Sequence, residues 1–248
     1  MYEVLNVDFA FKYQDLKVFI PTVGGLLAFS IFWFTWQSEK FQKKMLDKYG
    51  ENQGLANIII STKILGGLVM GILPAAAYLI AFPKTTLVDL GLGLSTKTLL
   101  ATFVWTIGLG ILMMLLVWNN ARKPESLKHY PQIRSLNWTR KMMAANLIGW
   151  AIYLLGYEFL FRGVLLFPLV DAIGLWPAIA VNIVIYSGTH IPKGLKETIG
   201  AIPLCIVLCL ICVQTGNIWV AVLVHVFMAF TNELTSFKHQ PEMEIVNA

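Results

Sequence analysis

The feature that most constrains this chain is a succession of apolar runs separated by short polar segments. Val18–Trp36, Ile64–Phe82 and Leu99–Trp118 each approach the roughly 20 residues that an α-helix needs to cross a hydrocarbon core. In lipid every backbone N–H and C=O must find its partner within its own segment, so such runs become helices. The second half is less regular. Met142–Phe161 is long enough to span but ends in Glu158 and Arg162. Val164–Ile173, Leu175–His190, Ile199–Val213 and Ile218–Phe230 follow, shorter and parted by Gly, Pro and single charges. Interrupted runs with polar residues persist only where they face protein or a water-filled cavity. The expected fold is all-α, a multi-pass transmembrane bundle of seven to eight helices around a polar cavity, with the site in the back half.

Composition agrees. Of 248 residues, 57% are hydrophobic and 13% charged, about half the charge of an ordinary soluble domain. That argues against a soluble enzyme, a disordered chain or a disulfide scaffold. It fits a single membrane domain, with N-terminal helices and basic loops over 1–141 and a core over 142–234. The net charge of +5 suits contact with anionic membrane lipid rather than nucleic acid.

Basic residues set the expected orientation. Lys40, Lys43, Lys44, Lys48 and Lys63 stand between the first two runs. Arg122, Lys123, Lys128, Arg134, Arg140 and Lys141 stand between the third and fourth, but only Lys84 and Lys97 in the loop between. The bias places both basic segments in the cytoplasm, the N-terminus outside and the protein in the cell membrane. The stretch from Met1 to Lys17, with Glu3, Asp8 and Asp15, lacks the basic start and apolar core of a signal peptide. Asn119–Lys141 reads as an amphipathic interfacial segment with Tyr130 and Trp138 at headgroup depth, and the other Trp residues read as interfacial anchors. Gly66, Gly67 and Gly71, and Gly108 with Gly110, read as close-packing sites, and Cys205, Cys209 and Cys212 as small packing residues on one stripe.

Ionisable residues within apolar runs are costly and tend to be functional. Those identified are Glu158, Arg162, Asp171, His190, Glu197 and His225. Asp171, beside Gly174 and Pro177, reads as a loop or helix cap. Glu158 and Arg162 are four apart, so a helix puts them on one face where they pair. Two histidines and a glutamate on three segments are the groups that activate a water, by general base catalysis or by holding a metal. If a divalent metal such as zinc is used, His190, His225 and a carboxylate (Glu158) are its ligands; otherwise no cofactor is needed.

Order and spacing resemble the CPBP family, the membrane proteins related to type II CAAX prenyl endopeptidases. Its Glu-Glu-x-x-x-Arg motif appears as Tyr157-Glu158 with Phe161-Arg162-Gly163, its Phe-x-x-x-His as Tyr186 with His190, and its His-x-x-x-Asn/Asp as His225 with Ala229. The resemblance covers about Met142 to Leu234. It implies an intramembrane peptidase that hydrolyses a peptide bond of a membrane-tethered or prenylated protein. It also implies that His190 activates water, that His225 donates to the oxyanion and that Glu158 is held by Arg162. Tyr157 stands where the family has its first Glu, and Ala229 where it has Asn or Asp. Three accounts follow: Glu158 is itself the base and delivers water with His190; Glu197 and Asn232, each seven residues past a histidine, return to the same face as support; or hydrolysis is lost. In the last, the protein is a membrane binding, immunity or scaffold protein. A proton-coupled transporter is a further rival, and no inverted repeat is seen for it.

Overall fold

The computed structural model describes residues 9–246; Glu3 and Asp8 of the polar N-terminal stretch lie outside them. Ten α-helices follow in order: α1 Leu16–Gln37, α2 Glu39–Tyr49, α3 Glu51–Ala81, α4 Leu99–Asn120, α5 Pro124–Leu127, α6 Arg140–Glu158, α7 Leu166–Ile173, α8 Leu175–Gly188, α9 Leu195–Thr215 and α10 Trp219–Lys238. Six stretches are long and apolar enough to cross a membrane, and α8 is a shorter apolar helix. The all-α multi-pass bundle is therefore what the chain forms, and the molecule is an integral membrane protein. Strand pairing is confined, among the described residues, to β1 (Asn137–Trp138) beside β2 (Glu244–Ile245), parallel.

The centre of the bundle is one continuous element. The runs Met142–Phe161 and Val164–Ile173 are not two helices. Arg140–Ile173 is a single helical stretch of 34 residues whose most apolar window is 78% buried, against 17–39% in the other five spans. Its middle, Phe159–Leu165, winds as a π-helix, and every side chain in it is buried. A π-turn frees backbone carbonyls from the regular ladder. Asn182 on α8, itself fully buried, donates from Nδ2 to the carbonyl of Phe161 at 2.6 Å.

Close helix approach holds this element against α3. A Cβ on Gly156 would collide with the backbone of Gly67, and one on Gly67 with the backbone of Ile152. Glycine is required there because the two backbones touch. Gly108 does not behave this way: a Cβ on it meets nothing within 4 Å, whereas Gly110 faces Phe227. Before α10, Gly216 adopts φ 68°, a left-handed turn that favours glycine. Asn217 then accepts from the amide of Trp219 at 3.1 Å and donates to Thr102 on α4 at 2.9 Å. This fixes the start of the helix that carries His225.

Several expectations are corrected. Lys63 lies not in a loop but inside α3, 4% exposed. Asn119–Lys141 is not one amphipathic element; between the end of α4 and the start of α6 it holds the single turn α5 and β1. Trp138 is fully buried, donates to the carbonyl of Ser135 at 2.8 Å and packs edge-on against Phe237, so it is a core residue rather than an interfacial anchor. Trp150 is buried as well. Asp171 sits inside α7 and pairs with Lys17 at 2.6 Å instead of capping a helix.

The glycine contacts make a direct prediction. Gly156→Leu should lower the unfolding free energy by about 3 kcal/mol or more through overpacking, read as a loss of folded protein in a detergent melt. Gly108→Ala should be neutral or slightly stabilising, because it gains helix propensity without a clash.

Candidate functional site

The site is assembled on the π-turn, the end of α8 and the middle of α10. Glu158 and Arg162, four apart, are both fully buried, with Arg162 Nη1 3.2 Å from Glu158 Oε2. On its other side, Glu158 Oε1 lies 2.6 Å from His225 Nδ1. Two bare acceptors do not approach so closely, so that ring nitrogen carries a proton, in ion-pair contact with the carboxylate rather than in an aligned hydrogen bond. His225 Nε2 in turn lies 3.3 Å from the Tyr186 hydroxyl, giving a chain of carboxylate, imidazole and phenol. The Arg162 guanidinium rests over the Tyr186 ring, 4.2 Å from its centroid. That contact partly compensates its Nε and Nη2, which have no hydrogen-bond partner among the described residues.

His190 follows α8 and lies outside the spanning helices. Its Nδ1 is 3.0 Å from the carbonyl of Tyr186 and 3.2 Å from Thr189 Oγ1. A carbonyl only accepts, so Nδ1 carries the proton and Nε2 keeps its lone pair. Burial, then the charge of Lys193, lowers the pKa of His190 to about 4, so the ring is neutral at physiological pH. Thr189 donates to the carbonyl of Tyr186 at 2.7 Å and is 2.8 Å from the Tyr157 hydroxyl. Tyr157, at the motif position of an acid, is thus buried and tied to the backbone turn that orients His190.

A cavity of about 930 Å³ opens against these groups. His190, His225, Tyr157, Tyr186, Thr189, Ala229 and Asn232 line it, and Phe29, Phe32, Trp33 and Trp36 of α1 form an aromatic wall at helical spacing. The rim is built by the segments after α4 and after α8, with Lys128, Tyr130 and Lys193. Glu158 and Arg162 do not line it. They stand behind His225, away from the lining. The reason is mutual: a buried carboxylate and guanidinium are least costly when each is the other's partner.

The supporting residues divide. Asn232 shares α10 with His225 and lines the same cavity, as two helical turns require. Glu197 reaches the lining but belongs to α9, separated from His190 by the turn Ile191–Lys193 and by Gly194 at φ 101°. The same-face argument therefore fails for it. Among the described residues no group of three or more His, Cys, Asp or Glu side chains is placed to hold a metal ion, and the Glu158 carboxylate is taken by Arg162 and His225. Cys205, Cys209 and Cys212 are buried packing residues, Cys205 donating to Asn182 at 3.4 Å.

A second buried polar cluster is absent from the sequence-based set. Lys63 donates to Asn146 at 2.7 Å, Asn146 donates to Glu233 at 2.7 Å, and Trp150 donates to the other oxygen of Glu233 at 3.2 Å. Lys63 also lies over the Trp150 ring, 3.9 Å from its centroid, and reaches the cavity wall. Lys63 and Glu233 fall just outside the apolar runs, yet their helices continue past those runs. Opposite charges one and three residues beyond the ends of two runs were the available signal.

Residues 139–231 match the family model described as type II CAAX prenyl endopeptidase Rce1-like. The matched stretch, similar to that family, runs from the residue before α6 into α10 and covers less than half of the chain. No curated protein and no solved structure matches the chain.

The ion pair behind His225 is testable apart from any activity. Glu158→Leu leaves the Arg162 charge buried and unpaired and should cost about 3–5 kcal/mol, while Glu158→Leu with Arg162→Met should recover most of the loss. Unfolding of the purified full chain, of the single variants Glu158→Leu and Arg162→Met and of the double variant measures this; additive losses in the cycle would contradict the pairing.

Proposed function

We propose that this chain is an intramembrane peptidase that admits a membrane-tethered, prenylated peptide to the cavity and hydrolyses it with a water activated by His190. The observation that carries the proposal is the pair of imidazoles on the cavity wall, each with its Nδ1 against a protein oxygen, His190 Nε2 having no hydrogen bond among the described residues and His225 Nε2 touching the Tyr186 hydroxyl. A base must be neutral and held in place to take a proton at neutral pH, and His190 is both. In this reading the His190 Nε2 lone pair removes a proton from water as the water oxygen bonds to the carbonyl carbon. The carbonyl π pair moves onto oxygen. The same proton then passes from His190 to the amide nitrogen as the C–N bond breaks, so His190 ends neutral. Glu158 acts through His225 as a positioning residue, and Arg162 holds Glu158. The aromatic wall of α1 supplies an apolar surface for the tether, and the bias of basic residues supports a mouth on the cytoplasmic side of the cell membrane.

A second reading has its own observation. Tyr157 and Ala229 put no carboxylate and no amide on the cavity wall, which favours a protein that binds a membrane-tethered partner without cutting it. One experiment separates the two. The full chain in lipid nanodiscs is offered a farnesylated peptide carrying a fluorophore and quencher across the scissile region. Hydrolysis that falls at least about 100-fold in His190→Ala, the loss expected for a removed general base, supports the peptidase. Binding of the peptide with no cleavage above the His190→Ala background supports the second reading.

A further inference from the structure

We infer that the hydroxyl of Tyr186 donates to the oxyanion of the tetrahedral intermediate. This rests on the peptidase reading and adds to it the group that bears the developing charge. Hydrolysis moves the carbonyl electron pair onto oxygen, and a donor held ready for that oxygen lowers the barrier by far more than it would in water. Ala229 supplies none. Of the two hydroxyls beside that of Tyr186, Thr189 gives its proton to the carbonyl of Tyr186, and Tyr157 is bonded to Thr189.

The Tyr186 hydroxyl differs from both. Its partner is His225 Nε2 at 3.3 Å, a long contact for an O–H donor. That leaves the proton free to turn toward a stronger acceptor. The ring itself is fixed: Tyr186 is 1% exposed, the Arg162 guanidinium lies on its face, and Phe161 packs against it edge-on. It also sits between the two histidines, its ring centroid 4.9 Å from that of His190 and 6.4 Å from that of His225. A carbonyl attacked by water at His190 therefore develops its charge beside this hydroxyl. Behind it, His225 and Glu158 complete the line of polar groups. No proton need leave the phenol: it donates a hydrogen bond as the C–O bond forms and withdraws it as the C–N bond breaks.

Tyr186→Phe removes one oxygen and keeps the ring, so the fold should hold. Three quantities are measured on the full chain in nanodiscs: kcat and KM for the farnesylated peptide, Kd for that peptide, and Kd for its phosphonate analogue, a stable tetrahedral anion. The variant should lose about 100-fold in kcat, the scale of one oxyanion donor, with KM and peptide Kd within twofold, and should bind the phosphonate about 100-fold more weakly. Cleavage and phosphonate affinity both within twofold of the native chain overturn the inference while leaving the peptidase intact. A native chain that cleaves nothing, yet loses phosphonate affinity selectively on Tyr186→Phe, overturns the peptidase and retains Tyr186 as the anion donor.

Discussion

The architecture depends on the burial of one ion pair inside a helix that crosses lipid. Glu158 and Arg162 have no exposed surface, and an isolated charge at that depth would be expelled or would prevent insertion. Together they are tolerable, and the cost of keeping them is met by geometry. The π-turn over Phe159–Leu165 sets Arg162 against both Glu158 and the face of Tyr186, while Asn182 takes up the Phe161 carbonyl on the neighbouring helix. A straight helix of small apolar residues would be more stable here. The chain retains a buried polar π-turn, as sites of chemistry and recognition commonly do.

From that pair the site follows outward. Glu158 fixes the Nδ1 proton of His225, and the backbone turn at Tyr186 fixes that of His190. Both rings therefore present Nε2, although one is held by a charge and the other by a carbonyl and a hydroxyl. On the far side of the cavity, Lys63, Asn146, Glu233 and Trp150 satisfy one another in a second closed network. Two internal networks leave the cavity itself lined mainly by neutral, aromatic and hydroxyl groups. Such a surface suits an amphipathic guest better than a free ion.

Much of this was legible in the chain. Periodicity and length gave the spanning helices, the four-residue spacing gave the Glu158–Arg162 pair, and Gly67 and Gly71 announced the close approach of α3 to α6. What escaped were features set by continuity beyond the apolar runs. The helix over Arg140–Ile173 has no break in it, because a π-turn, unlike a proline or glycine stop, has no fixed residue signature. Hydropathy puts Lys63 in a polar segment and leaves Glu233 beyond the last run, yet the two meet across helices through Asn146 once the bundle closes. Glu197 failed for the opposite reason. Its seven-residue spacing from His190 implied one helix, but Pro192 and Gly194 start a new one.

The central claim is that two histidines are held with Nδ1 protonated and Nε2 facing the cavity. The most direct measurement is the ¹⁵N spectrum of the imidazoles of His190 and His225 in the full chain in lipid bilayers at neutral pH. Assignment comes from single His→Gln variants. Nδ1 should appear protonated on both rings, with His190 Nε2 carrying a free lone pair. A bare Nδ1 on either ring would contradict the account, because the carboxylate or the carbonyl assigned to hold that ring would then have no proton to accept.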